Sequence, residues 1–395
     1  MLVNNGLAAG GAERQIVYTL KGLRARGVEA VFVGEYLHRA AGLDFHLHSL
    51  RDAGVDVQGL ERATQPGPAL FQHVTPPVAS LLSQAPAAMM LEILDMVAIL
   101  RAQTPAVVHL WQDETSIKHG LAALIAGAPR IVLSGRNLNP THFEYFAPHM
   151  RAAYLALLSD PRVVMSNNSR AGARSYAEWL GVDEKRIVVS HNAVDPSDWP
   201  DPPASVRANV RARFAIDDAA PVVAGVFRLS LEKRPLLWIE TARALRTRLP
   251  DAAFFVLGDG PMKAQFLAKA EALQLGGALH YLGERNDVHD ILAASDLFLL
   301  TSAQEGTPNA LLEAQWAGLA CVSTDAGGAG EALAEGETGL IVSDATPAAL
   351  AAALCKLWDD QDLRLRARRS GRAFVSDRFS LDRMIENTFR LYGLA

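Results

Sequence analysis

The sequence predicts an α/β protein of two Rossmann-like domains, each a parallel sheet covered by helices. Three observations carry this. The chain has 395 residues, half of them apolar, which exceeds what one hydrophobic core usually serves. Short Val- and Ile-rich runs, apolar at consecutive rather than alternate positions, recur between helical patterns, as expected of strands buried on both faces. The alternation breaks at a stretch rich in proline and aspartate at residues 195–203 and then restarts.

In the first half, residues 30–33, 106–109 and 130–133 are strand candidates, and 163–165 and 187–189 close the series. Helical patterns such as 13–26 and 85–100 separate them. The latter is the most apolar helix candidate, but it carries Glu92 and Asp95 and falls short of the roughly 20 residues that span a bilayer, so it is assigned to soluble core. The stretch from 195, with the charged residues 207–213, reads as an interdomain linker. The boundary is expected near 200–217, giving domains at 1–200 and 201–378. In the second half 222–227, 253–257, 279–282, 297–300 and 319–322 are strand candidates, 345–354 a helix, and 380–392 a final amphipathic helix within a terminal segment 379–395.

Composition excludes several classes. A formal net charge of -5, with 38 basic and 43 acidic residues interspersed, gives no basic field for nucleic acid. Cys321 and Cys355 are the only cysteines, without metal spacing and too few for a disulfide framework, which fits a reducing cytosol. The opening Met1-Leu2-Val3-Asn4-Asn5-Gly6 has no basic and apolar leader pattern, so no secretory signal is expected. Neither a Walker A sequence nor a G-x-S-x-G elbow is present.

In open parallel sheets ligands bind beyond the carboxyl ends of the strands, so the residues after each strand candidate carry the functional reading. After 297–300 comes Glu305-Gly306-Thr307-Pro308-Asn309-Ala310-Leu311-Leu312-Glu313, a loop opening a helix, with Thr307 expected as N-cap and Pro308 as the first helical residue. Free amides at a helix start suit an anion, and Asn309 and Glu313 share one helical face. Carboxylates accept hydrogen bonds from sugar hydroxyls, so Glu305 and Glu313 beside an anion site fit a ligand with phosphate at one end and sugar at the other. A solvated loop above an ordinary capped helix would give the same pattern.

After 222–227 comes Arg228-Leu229-Ser230-Leu231-Glu232-Lys233-Arg234-Pro235, which places cations at a helix start, where they oppose the dipole unless an anion arrives. The two readings are a diphosphate clamp by Arg228 and Lys233, or surface salt bridges with Glu232. Gly258-Asp259-Gly260-Pro261 and Gly327-Gly328-Ala329-Gly330-Glu331 also follow strand candidates and give the backbone freedom near a ligand. Gly10-Gly11-Ala12-Glu13-Arg14 opens the first helix and either offers amides to a phosphate or permits close helix packing.

Together with Asn192-Ala193-Val194-Asp195, these elements resemble glycosyltransferase family 4 in order and separation over nearly the whole chain. The E-x7-E element combined with the upstream Arg/Lys pair is the most specific part. The resemblance implies the GT-B fold class, two Rossmann-like domains with parallel sheets facing across a cleft, and a final helix crossing back to the first domain. It implies retaining transfer of a sugar from a nucleotide diphosphate sugar to a hydroxyl of a glycan or lipid-linked acceptor, in cell-envelope or exopolysaccharide synthesis. By the same resemblance Arg228 and Lys233 neutralise the leaving diphosphate, Glu305 contacts sugar hydroxyls and Glu313 holds the ribose. The backbone of Gly306, Thr307, Pro308 and Asn309 lies over sugar and phosphate, with Gly10, Gly11 and Gly258 on the donor side. The base lies near Arg285 and Val288.

No cofactor and no metal are expected: the lone D-x-D, Asp360-Gln361-Asp362, reads as a helix boundary. Many family members carry an H-x-H pattern where this chain has His109-Leu110-Trp111, so the usual second histidine is replaced by Trp111. His109, Trp111, Gln112 and Arg136 are the acceptor-side candidates, with core packing of Trp111 the alternative. Acceptor recognition is expected of the loops at 39–48, 111–118 and 136–145, which hold Trp111, Gln112 and Arg136. Little of a first strand precedes Gly10. The cluster Arg364, Arg366, Arg368, Arg369 and Arg372 fits either a solvated helix or peripheral contact of a cytoplasmic protein with the inner membrane. A GT-B-like sugar-nucleotide epimerase and a non-catalytic sugar-nucleotide-binding protein share this outline. The Arg228 and Lys233 clamp favours transfer, because it matters chiefly when the bond to the diphosphate breaks.

Overall fold

The computed structural model of the chain describes residues 1–37, 42–60 and 74–394. Residues 39–41 of the first acceptor loop lie outside them. The chain divides into two compact units, Met1–Ala193 with Leu381–Ala395, and Val194–Ser380.

The first unit holds a seven-stranded sheet in the order β3-β2-β1-β4-β5-β6-β7, formed by β1 (Leu2–Asn4), β2 (Val31–Gly34), β3 (Asp56–Gly59), β4 (Val107–Trp111), β5 (Arg130–Gly135), β6 (Val163–Asn167) and β7 (Ile187–Val189). All paired strands are parallel, as their two-sided apolar character requires. The connections carry α1 (Gly11–Ala25), α2 (Leu47–Asp52), α3 (Pro76–Gln84), α4 (Ala87–Gln103), α5 (Asp113–Ala126), α6 (His149–Leu157) and α7 (Arg170–Leu180). The three-residue β1 is fully buried and pairs with both β2 and β4, with Leu2 opposite Phe32 and His109.

The second unit opens with α8 (Ser205–Arg213). It continues through β8 (Val222–Val226), α9 (Pro235–Arg246), β9 (Ala253–Leu257), α10 (Lys263–Ala272), β10 (Leu279–Gly283), α11 (Val288–Ala293) and β11 (Leu297–Leu300). Then follow α12 (Asn309–Trp316), β12 (Ala320–Thr324), β13 (Gly339–Val342), α13 (Pro347–Asp359) and α14 (Gln361–Arg378). Its six strands run in the order β10-β9-β8-β11-β12-β13, again parallel. The final helix α15 (Leu381–Tyr392) belongs to the first unit. There Asp382 pairs with Arg26 at 2.8 Å, the Leu391 carbonyl accepts from Arg130 Nε at 2.9 Å, and Tyr392 Oη lies 2.9 Å from His109 Nδ1.

Three sequence expectations change. The charged stretch 207–213 is not linker: it is most of α8, whose Arg211 is 1% exposed. Its guanidinium donates to the carbonyls of Ala294, Asp217, Asp218 and Ala220 and pairs with Asp296 at 2.7 Å, so the charge serves the core of the second unit. The helix candidate at 85–100 starts at Ala87 and is preceded by a separate α3, because Ala85 stands before Pro86 and is held extended at ψ 139°. Finally, β3 and β13 are edge strands that the apolar runs did not mark.

Both sheets reverse direction of growth at one place: between β1 and β4 in the first unit, and between β8 and β11 in the second. At such switch points the loops after the two strands diverge and leave a crevice at their carboxyl ends.

Candidate active site

In the second unit, the segments following β8 and β11 are the two that the sequence singled out, and the fold puts them at the switch point. Arg228 is exposed, and its guanidinium makes no ion pair among the described residues. Lys233 is not paired with Glu232, whose carboxylate accepts from Ser230 Oγ at 2.6 Å. It reaches across the switch point to Glu305, Nζ to Oε1 2.7 Å. Ser302 Oγ donates to the same oxygen at 2.6 Å. Two residues expected to grip different parts of a ligand thus hold each other here.

Arg234 fixes the relation of these loops. It stands in the left-handed region at φ 49° as the N-cap of α9, with Pro235 as the first helical residue. Its guanidinium donates to the carbonyls of Thr301 and Ser302, both at 2.6 Å, while Thr301 Oγ1 donates back to the Lys233 carbonyl at 3.0 Å. The sequence reading took Arg234 only as part of a basic turn. Its structural task shows only when the end of β11 is in place.

The loop after β11 is no solvated turn: Glu305 is 6% exposed and Glu313 4%. Gly306, Thr307 and Pro308 are buried with them, and Asn309 is half-buried. The helix starts one residue later than expected. Pro308, with ψ 108°, is the N-cap, no side chain caps the end, and Asn309 opens α12. The expected N-cap is therefore corrected: Thr307 lies one residue before the N-cap position, which Pro308 occupies. The segment after β12 joins the same place, since Gly328 N donates to the Glu305 carbonyl at 3.0 Å and Thr324 Oγ1 to the Ser302 carbonyl at 2.6 Å.

Gly258, after β9, has φ 117°, and a Cβ there would overlap the Phe227 carbonyl. A Cβ on Gly260 would stand 2.6 Å from the Leu229 carbonyl oxygen. These glycines let the β9 loop lie flat against the segment that carries Arg228, so their first role is close backbone packing. Arg285 pairs with Asp287 at 2.5 Å just before Val288 opens α11, which holds the Asp287 carboxyl below its ordinary value.

In the first unit the switch point gathers Gly10 and Gly11 at the start of α1 with Trp111 and Gln112 at the end of β4. Gly10 is the N-cap of α1, and the Glu13 carboxylate folds back over it. Trp111 is 2% exposed, yet the Arg136 guanidinium lies over its ring, 3.9 Å from the centroid. Trp111 is thus a core residue whose ring face is covered by Arg136. Arg136 directly follows β5, donates to Asn192 Oδ1, and burial lowers its pKa to about 9. His109 is a buried strand residue one layer below, with burial lowering its pKa to about 3. It packs against Trp111 and Tyr392, which makes it structural rather than acceptor-facing. The sequence reading missed Asp113, a buried carboxylate that accepts from Tyr154 at 2.8 Å, Tyr145 at 3.1 Å and Tyr176, and whose pKa burial raises. Its place in the 111–118 loop, just beyond the strand candidate 106–109, was the available signal.

Asp360 caps α14, its Oδ1 accepting from Leu363 N at 2.8 Å. In the arginine cluster Arg372 pairs with Asp201 at 2.6 Å and Arg364 lies over Trp358, while Arg366, Arg368 and Arg369 are exposed.

The family model described as Glycosyltransferase Family 4 matches residues 9–198, and that described as Glycosyl transferases group 1 matches residues 206–374. The chain is 31% identical over 409 residues to the Vi polysaccharide biosynthesis protein VipC/TviE of Salmonella typhi, covering 97% of this chain and 69% of that protein. It is 25% identical over 319 residues to the UDP-Gal:alpha-D-GlcNAc-diphosphoundecaprenol alpha-1,3-galactosyltransferase of Escherichia coli, covering 77% and 79%. Among solved structures, Anabaena Alr3699/HepE in complex with UDP-glucose superposes with a TM-score of 0.79 at 19% identity, covering 100% of this chain and 99% of that one. A chain whose two halves match these two models, on two Rossmann-like units of the GT-B class, belongs to glycosyltransferase family 4 and is a glycosyltransferase.

Proposed function

We propose that this glycosyltransferase moves a hexosyl unit, with retention, from a UDP-sugar to a hydroxyl of a lipid-diphosphate-linked or growing envelope glycan. The observation that carries the reading is the composition of the β8/β11 switch point: an exposed Arg228 without an ion pair among the described residues and a bridging Lys233 on one loop, and the buried carboxylates Glu305 and Glu313 on the other. In transfer, the bond between the anomeric carbon and the diphosphate oxygen breaks, its electron pair goes to the diphosphate, and the acceptor oxygen bonds to that carbon. Charge develops on the diphosphate, where Arg228 and Lys233 are placed to meet it. Glu305 then accepts from sugar hydroxyls and Glu313 from the ribose, while the amides of 306–309 lie along the phosphates. The choice of UDP and of a lipid-linked acceptor is supported by the Escherichia coli galactosyltransferase, whose name specifies both.

In this reading two cations do the work of a divalent ion, and no metal is required. The protein works at the cytoplasmic face of the membrane, held peripherally through exposed Arg366, Arg368 and Arg369. No helix of the described residues is long and apolar enough to cross a bilayer.

The test is a thermal shift against UDP, GDP and ADP, since a ligand binding only the folded state raises its stability. UDP is expected to raise the melting temperature, with the effect lost in Glu313→Ala and unchanged by chelator. No shift with any nucleotide overturns the donor site.

A further inference from the structure

Gln112, between β4 and α5, has φ 66° and ψ 167°, a region of backbone space essentially reserved for glycine. Its main chain is tied down on both sides: its N–H donates to the Ser134 carbonyl at 3.0 Å, and its carbonyl accepts from Ser116 N at 3.0 Å. Its half-buried side-chain amide, by contrast, makes no hydrogen bond to protein among the described residues. Backbone strain of this kind persists only where the surroundings fix it, and it clusters at active sites and ligand clamps.

The next residue, Asp113, connects this point to an aromatic surface. Its carboxylate accepts from Tyr145, and the Tyr145 ring, 48% exposed, stacks on Phe143 with centroids 4.9 Å apart and planes 15° from parallel. An amide that both donates and accepts matches vicinal sugar hydroxyls, and the exposed Tyr145 ring, backed by the half-buried Phe143, offers an apolar face for the C–H side of a pyranose. Glu114, exposed on the same turn, disfavours an anion there.

We propose that the Gln112 amide and the Tyr145–Phe143 ring pair form a pyranose subsite for the acceptor sugar, with Asp113 as the positioning residue that joins them. The proposal rests on the transferase reading above and narrows its acceptor to one whose receiving sugar is uncharged.

Saturation-transfer NMR tests it, with the methyl glycosides of N-acetylglucosamine and of galactose as probes and a UDP thermal shift run beside it. Wild type is expected to saturate the protons of at least one probe, with the signal lost in Gln112→Ala and Tyr145→Ala. Tyr145→Phe keeps the ring and loses the tie to Asp113, so it weakens the signal only in part. Gln112→Gly relieves the backbone and raises the melting temperature by about 2–4 °C while still losing the sugar signal, which a merely structural Gln112 would not do. Absence of saturation in wild type, or full saturation in Gln112→Ala, overturns the subsite even where UDP still stabilises the protein. Failure of UDP to shift melting counts separately, against the donor reading.

Discussion

Lys233 Nζ lies 2.7 Å from Glu305 Oε1, and the two residues come from loops that follow the neighbouring strands β8 and β11. The bond closes the switch point with a cation and a carboxylate that each have a ligand partner of their own in the proposed reaction. In the proposed reaction a diphosphate arriving at Lys233 would draw the ammonium away from Glu305 and free the carboxylate for sugar hydroxyls, so that donor phosphate and donor sugar would be recognised together.

Lys233→Ala is therefore expected to lower the initial rate at saturating acceptor by at least about a hundredfold, the loss typical of one preorganised donor to a developing charge. Its melting temperature should fall as well, because Lys233 is 20% exposed and its loss leaves the buried Glu305 carboxylate with Ser302 Oγ as its remaining side-chain donor. Steady-state kinetics and a melting curve check both halves. Near wild-type turnover removes Lys233 from the mechanism.

Gly258→Ala tests whether the β9 loop positions Arg228. The new methyl group would meet the Phe227 carbonyl, at a residue whose φ of 117° already disfavours a side chain. The segment 227–229 must then move, and Arg228 with it. Overpacking of this kind costs about 1–3 kcal/mol. The expected result is a lower melting temperature together with a diminished UDP shift. A lower melting temperature with an undiminished shift would show that Arg228 does not depend on this contact.

Most strands that were legible in the sequence, such as β8, β9 and β11, are paired on both edges and buried on both faces, because burial forces consecutive apolar residues, while the edge strands β7 and β10 were legible from their apolar runs alone. β3 escaped because Asp56-Val57-Gln58-Gly59 sits at a sheet edge with little burial, and β13 because it is a four-residue edge strand opened by a glycine. The segments holding Arg228, Lys233, Glu305 and Glu313 were legible because strand ends are where ligands bind. Their mutual contacts were not: whether Lys233 faces Glu232 or Glu305 depends on which strands are neighbours. The arginines of α8 show the same limit, since a basic run reads as solvated until Asp296 and four carbonyls surround Arg211. Nothing in Gln112 as a residue type announces a strained backbone.

Arg211→Ala is expected to destabilise the second unit by about 3 kcal/mol or more, the cost of leaving a half-buried carboxylate and several carbonyls without their donor. The residue is 1% exposed, and Arg207, at 2.5 Å, is the cation left to Asp296. For a unit of this size the loss corresponds to a fall of roughly 6–12 °C in melting temperature. Differential scanning calorimetry checks it. A change near zero would mean that Arg207 alone satisfies Asp296.

The last prediction concerns acid. His109 is 3% exposed, and burial lowers its pKa from 6.5 to about 3, so it is neutral in the folded first unit. Above pH 6.5 the ring is uncharged in both folded and unfolded chains and contributes nothing to pH dependence. Between there and about 3 only the unfolded chain takes up the proton, so stability is lost as pH falls, by up to about 1.4 kcal/mol per pH unit from this residue. His46, lowered by burial from 6.5 to about 4, acts in the same direction. His109→Gln cannot titrate, so its unfolding free energy, followed by denaturant titration from about pH 6 to 5, should fall by ~1 kcal/mol per pH unit less than that of wild type. Parallel slopes in the two proteins would mean that His109 is protonated in the folded state, and Tyr392 beside it would then be an acceptor rather than a donor.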